Sequence, residues 1–231
     1  MGLSKTLASL SCILGLGQPL MLGQFCGQHH HERVAVIHSA AQQLEGSKPR
    51  LVMVGSSSFR LWPQTDTVFS HFDVVNAGFG GSCFGDLWAL RDTLIYALHP
   101  EVLLVYEGDN DLQDGMETSD ILRVADMLLE DICQRMPETR VVLIAPKHSP
   151  ARSSLSDRYL KLNEGLALIC ESRGVVWVNF WGLMHEGDRL REEWFIHDLL
   201  HLNNEGYAAW VHELRKQVPW LDPHSSQTTT N

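Results

Sequence analysis

Four short segments of this 231-residue chain hold side chains that can act on one another. Gly55-Ser56-Ser57-Ser58 offers hydroxyls beside a glycine. Asn76-Ala77-Gly78-Phe79-Gly80-Gly81 offers backbone N–H groups with little to shield them. Gly108-Asp109-Asn110-Asp111 sets an amide between two carboxylates. Asp198-Leu199-Leu200-His201 sets a carboxylate three residues before an imidazole. A serine hydroxyl is a weak nucleophile until a base takes its proton. Histidine can be that base. A carboxylate on the other ring nitrogen fixes the tautomer and stabilises the imidazolium; one helical turn would bring Asp198 and His201 together. The oxyanion that then develops needs donors aimed at it. Glycine lets the backbone approach closely, and Asn110 can add a side-chain N–H. Singly, each segment has a plainer reading: a turn or helix cap for the serines, loops for the glycine and Gly-Asp-Asn-Asp segments, the start of a helix for Asp-x-x-His. The set of four in this order points to acyl chemistry.

The elements that must position them follow from the apolar pattern. A helix is expected over 33–45, then a buried strand Leu51–Val54 ending at Gly55. A second strand lies at Val74-Val75, ending at Asn76. Residues 84–98 have helical spacing and stop at His99-Pro100. Val102–Tyr106 is an apolar run that suits a parallel strand covered on both faces. Ser119 is expected to cap a helix running to about Arg135, which Pro137 closes. Strand four covers Arg140–Ala145, a helix covers 155–172 and breaks at Gly174, and strand five covers Val175–Val178. The last helix follows Asn203-Asn204-Glu205-Gly206 and runs to about Gln217. This alternation predicts an α/β fold with a parallel sheet of five strands and helices on both faces. Ligands bind such sheets beyond the carboxyl ends of the strands. The first three reactive segments directly follow strands one, two and three.

The segments resemble blocks I, II, III and V of the SGNH (GDSL-like) hydrolases, whose usual forms are Gly-Asp-Ser, a glycine block, Gly-x-Asn-Asp and Asp-x-x-His. The similarity covers roughly residues 50–215. It implies a three-layer α/β/α sandwich resembling flavodoxin, and esterase, thioesterase or related acyl hydrolysis without metal or organic cofactor. By position it makes Ser57 the nucleophile and, through its N–H, an oxyanion donor; Gly81 and Asn110 are the other donors. His201 is the base and Asp198 its orienting acid. Ser56 stands where the family usually has Asp, so Ser58 is the second choice of nucleophile. Phe59-Arg60-Leu61-Trp62 resembles a bacterial subgroup with Gly-Ser-Ser at block I.

No long apolar lid is evident, which favours short acyl esters of small molecules or carbohydrates. Trp62, Phe79, Phe84 and Trp88 are read first as core and second as walls of an acyl pocket. An acyltransferase and a non-catalytic binding module of the same fold are rivals. So is a metal hydrolase, since His197 and His201 are i, i+4; but Asp198 follows His197 where H-E-x-x-H has Glu, and no third ligand is evident.

A net charge of −10 and no Lys/Arg cluster argue against nucleic acid. The length and the 44% hydrophobic fraction fit one domain, over 32–220, with a disordered tail at 221–231. The cysteines Cys12, Cys26, Cys83, Cys133 and Cys170 form no CxxC pair and read as small core residues. Residues 1–31 read as a signal peptide or a disordered start. Lys5 precedes the apolar run Thr6–Leu22, but Gln18 and Pro19 interrupt it and no A-x-A site follows. A cleaved signal would place the protein in the periplasm or outside the cell, and otherwise it would be cytoplasmic. Stable membrane insertion is not expected, because a spanning helix needs ~20 clean apolar residues. His29-His30-His31 reads as a solvated run.

Overall fold

The apolar runs form the five strands of one parallel sheet: β1 (Arg50–Gly55), β2 (Asp73–Asn76), β3 (Val102–Tyr106), β4 (Arg140–Ile144) and β5 (Val176–Val178). Their order is β2-β1-β3-β4-β5. β1 pairs with β2 through Leu51–Val74 and with β3 through Leu51–Val102; Val102 of β3 faces Arg140 of β4. The order reverses at β1, so the crevice at the carboxyl ends of β1 and β3 is the topological switch point where such folds take ligands.

Alternate strand residues serve opposite layers. Val52, Val54, Leu103, Val105, Val141 and Leu143 pack beneath one set of helices. Leu51, Met53, Leu104, Tyr106, Val142 and Ile144 pack beneath the other. Both faces are covered, which is why the strands carry so few polar residues. The computed structural model describes residues 30–44 and 46–222.

The helices are α1 (His30–Gln42), α2 (Ser57–Arg60), α3 (Thr65–Val68), α4 (Phe84–Leu94), α5 (Asp109–Gln113), α6 (Thr118–Arg135), α7 (Ser156–Arg173) and α8 (Asn204–Gln217). In α6 the buried residues are Ile121, Val124, Ala125, Leu128, Leu129 and Ile132, a three-and-four spacing that lays one stripe on the sheet. Gly174 ends α7 in the left-handed conformation.

Several boundaries differ from the sequence expectation. Ser119 does not cap α6; Glu117 holds the cap position and Ser119 lies in the first turn. α8 starts before Gly206, because the Asn203 side chain accepts the Gly206 N–H at 3.0 Å and caps the helix from there. The helix expected over 84–98 stops at Leu94, and a 3-10 turn over Tyr96–Leu98 leads to His99 at φ 49°. The short helices α2 and α5, and an antiparallel ribbon of β6 (His185–Glu186) and β7 (Arg189–Leu190), are too brief to leave a periodic signal.

Pro219–Leu221 form a last turn that seats Leu221 in the core. Of the leader expected over residues 1–31, positions 1–29, with Cys12, Cys26 and His29, lie outside the described residues, as does the tail from 223, while His30 and His31 open α1, which begins three residues before the helix expected over 33–45. Among the described residues no helix is long and apolar enough to cross a membrane. Cys83 and Cys170 are buried, Cys133 is half-buried, and none of the three is in a disulfide.

Candidate active site

β1 leaves the sheet at Gly55, whose φ is +143°. A Cβ there would lie 2.1 Å from the Tyr106 carbonyl oxygen, so only glycine lets the chain turn while pressed against β3. The Ser56 N–H bonds that same carbonyl at 3.1 Å, and α2 begins at the next residue. Ser57 is therefore the first residue of a helix, with an N–H that has no intrahelical acceptor. Its side chain is part-exposed, whereas Ser58 is buried. The Ser58 hydroxyl lies 3.1 Å from Lys147 Nζ, and the Tyr207 hydroxyl donates to the Ser58 carbonyl at 2.7 Å. Neighbouring serines thus face opposite directions, one toward solvent and one into the protein.

His201 reaches Ser57 from a loop before α8. The Ile196 N–H bonds the His201 carbonyl at 2.9 Å and the Asn203 N–H bonds the Trp194 carbonyl at 2.9 Å, closing a tight ring. Within it Leu199 sits at φ +56°. Asp198 and His201 meet through this turn, not through a helical turn. Asp198 Oδ1 accepts the N–H groups of Leu200 and His201, each at 2.9 Å. Asp198 Oδ2 is 2.6 Å from His201 Nδ1, and His201 Nε2 is 2.8 Å from Ser57 Oγ. With Asp198 ionised, Nδ1 carries the ring proton and Nε2 accepts the serine O–H. Partial burial by itself would raise the Asp198 carboxyl. The ring and the two N–H groups more than offset this, and its pKa falls to about 2.

Gly81 takes φ +78°, a region that favours glycine, with open space beyond it. Its N–H makes no backbone hydrogen bond among the described residues. Asn110, on α5 just past β3, donates one amide N–H to the Ser82 carbonyl at 2.8 Å and accepts from Arg152 Nη2 at 2.9 Å.

Beneath lies a buried network that the sequence reading missed. Asp109 accepts from the Tyr159 hydroxyl at 2.7 Å and from the Tyr106 hydroxyl, with Lys147 Nζ at 3.4 Å and Arg152 Nη1 at 3.8 Å. Burial alone would raise Asp109, but the two cations and two hydroxyls hold its carboxyl below the usual range. Burial lowers Lys147 against the pull of Asp109. Lys147 and Arg152 follow β4, so the strand-end rule that found Ser57 and Asn110 also points to them.

Trp62, Phe79 and Phe84 are buried in the core; Trp88 is partly exposed under the Arg91 guanidinium. His197 is exposed, and His201 spends both ring nitrogens on Ser57 and Asp198. Among the described residues no three His, Cys, Asp or Glu side chains gather as a metal site. A cavity of about 540 Å³ is lined by Trp62, Gln64, Val68, Asn204 and Tyr207, among others; neither Ser57 nor His201 lines it.

A five-stranded parallel sheet between helical layers, with a hydroxyl, an imidazole and a carboxylate in line near its switch point, has the architecture of the SGNH hydrolases. The model of the GDSL-like lipase/acylhydrolase family matches residues 52–209, and the chain belongs to that family. Among solved structures it is similar to a protein from Streptococcus pneumonia described as a platelet activating factor, with TM-score 0.70, 17% identity, and 83% of this chain and 93% of that one covered. A GDSL-like lipase from Bacteroides thetaiotaomicron aligns with TM-score 0.66 and 18% identity, covering 82% of this chain and 97% of that one. A catalytic mutant of an acetylxylan esterase from Geobacillus stearothermophilus aligns with TM-score 0.63 and 14% identity, over 74% and 94%. No curated protein matches the chain.

Proposed function

We propose that this chain hydrolyses short-chain acyl esters, with Ser57 as nucleophile, His201 as base and Asp198 as orienting acid. The observation that carries this reading is the relay of 2.8 Å from Ser57 Oγ to His201 Nε2 and 2.6 Å from His201 Nδ1 to Asp198 Oδ2. Ser57 attacks the ester carbonyl as its proton passes to Nε2. Ser57 N–H, Gly81 N–H and the free N–H of the Asn110 amide hold the oxyanion. The tetrahedral species collapses, the ester C–O bond breaks, and the alcohol leaves with the proton from His201. Water, deprotonated by the same ring, then cleaves the acyl-enzyme. The inward-facing Ser58 hydroxyl, held against Lys147, supports Ser57 over its neighbour. The resemblance to an acetylxylan esterase makes acetylated saccharides natural substrates to try after simple aryl esters.

The test is hydrolysis of p-nitrophenyl acetate, butyrate and octanoate by the wild type and by Ser57→Ala, with folding followed by circular dichroism. Wild-type turnover is expected to fall by roughly a thousandfold or more in the folded variant. Full activity in Ser57→Ala rejects Ser57 as nucleophile. Asn110→Ala removes one oxyanion donor, about 3 kcal/mol, so kcat should fall roughly a hundredfold with a smaller change in KM. Intact kcat with weakened binding would reject that role. An added alcohol acceptor separates hydrolysis from acyl transfer.

A further inference from the structure

We infer that Arg152 is a positioning residue of the oxyanion hole, fixing which end of the Asn110 amide faces the reacting carbonyl. This rests on the proposed esterase reading. An amide side chain can turn over by 180°, exchanging an acceptor for a donor at nearly the same place. Two neighbours remove that freedom. Arg152 Nη2, which can only donate, lies 2.9 Å from Oδ1. The Ser82 carbonyl, which can only accept, lies 2.8 Å from Nδ2. Turned over, the amide would set NH₂ against a guanidinium and its oxygen against a carbonyl, losing both bonds. Only one orientation survives, and it keeps the second N–H available as a donor.

Arg152 is itself held. It is 8% exposed, sits in the short 3-10 turn Pro150–Leu155, and has Nη1 3.8 Å from Asp109 Oδ1. Asp109 in turn takes the Tyr159 hydroxyl and Lys147. The guanidinium therefore cannot swing away from Asn110 without leaving its own buried counter-charge. A cation on the amide oxygen also draws electron density from the nitrogen, which strengthens the remaining N–H as a donor to a forming oxyanion. Removing Arg152 would leave the Ser82 carbonyl alone to keep the Asn110 oxygen from turning to where negative charge grows.

The experiment is a double-mutant cycle on p-nitrophenyl acetate: wild type, Arg152→Met, Asn110→Ala and the double variant, with Ser57→Ala as control. Inhibition by phenylboronic acid, which forms a tetrahedral anion on a nucleophilic serine, is measured beside it. Arg152→Met should lower kcat by about tenfold or more with KM within about threefold, and weaken boronate binding in parallel. In the Asn110→Ala background the same substitution should cost less than about threefold, because the group it orients is gone. Equal cost in both backgrounds, or full kcat in folded Arg152→Met, overturns the inference while Ser57→Ala still upholds the parent reading. If Arg152→Met does not fold, Arg152→Gln, whose own amide can meet Asn110 by either end and so no longer fixes it, carries the same cycle under the same criteria. A wild type that neither cleaves the ester nor binds the boronate defeats the parent reading and this one with it.

Discussion

β3 runs out into Glu107-Gly108-Asp109-Asn110-Asp111, three acids within five residues, and the fold sends them to two unlike interiors. Glu107 and Asp111 are 0% exposed and Asp109 is 2% exposed, so burial does not separate them. Partners do. Asp109 meets Lys147, Arg152 and two tyrosine hydroxyls and is held below the usual carboxylate range. Glu107 meets Ser82, and Asp111 meets the Phe84 N–H; each is repelled by neighbouring acids, and no cation is among their causes of shift. Burial and the nearby Asp111 push Glu107 well up; burial, only partly offset by backbone N–H groups, puts Asp111 at about 7. Burial sets the penalty for charge, and the counter-charge decides whether charge is kept. Asn110 lies between the two interiors and is tethered to both, through Arg152 on the ionised side and the Ser82 carbonyl on the neutral side.

The comparison breaks most visibly at Asp109. Asp109→Asn leaves two buried cations without their carboxylate, which typically costs 3–5 kcal/mol, so roughly 4 kcal/mol of stability should be lost at pH 7. Urea denaturation measures this. A loss under about 1 kcal/mol would mean that the two cations are not held by this carboxylate, and the contrast with Glu107 and Asp111 would fall.

Asp111 sharpens the comparison through pH. Its folded pKa is raised from 3.8 to about 7, so between those values the folded state binds a proton that the unfolded state has released. The stability this group confers is full below about pH 4 and is lost as pH rises through 7. From pH 5 to 8 that amounts to roughly 2–3 kcal/mol. The facing acids Glu107 and Asp86 and the Cys83 thiol move the size of the effect without changing its sign. Asp111→Asn keeps an acceptor for the Phe84 N–H and does not titrate. Relative to wild type it should gain stability between pH 5 and pH 8, and a difference that stays flat with pH would refute the raised value.

What the sequence made legible follows the same division. Ser57, Gly81, Asn110, Asp198 and His201 stand in short segments whose residue types have few other chemical uses together, and three of those segments end strands that the apolar runs mark clearly. The sheet was legible because strands covered on both faces must be apolar throughout. The buried network was not, because all its contacts but the Tyr106–Asp109 bond join residues far apart in the chain: Lys147 to Ser58 across 89 positions, Arg152 to Asn110 across 42. Asp198 and His201 meet by a route that their spacing does not show. Their spacing suits a helix, but the Asp198 side chain folds its own turn by taking two N–H groups, with Leu199 forced to positive φ.

Glu107 gives the smallest expected effect and separates the two neutral acids. Ser82 Oγ lies 2.5 Å from Glu107 Oε1 and 3.3 Å from the Phe79 carbonyl, and a hydroxyl has one proton for the two. A neutral Glu107 resolves this: its own O–H donates to Ser82 Oγ, whose proton then serves Phe79. A glutamine does the same with an amide N–H. Glu107→Gln should therefore change stability by less than about 1 kcal/mol. Burial and the nearby Asp111 raise Glu107 well above its ordinary range, so the acid and the amide should be equivalent here at pH 5. Urea denaturation at pH 5 reads it. A loss of several kcal/mol there would show that Glu107 is ionised and bound as a charge, placing it with Asp109 and dissolving the division between the two interiors.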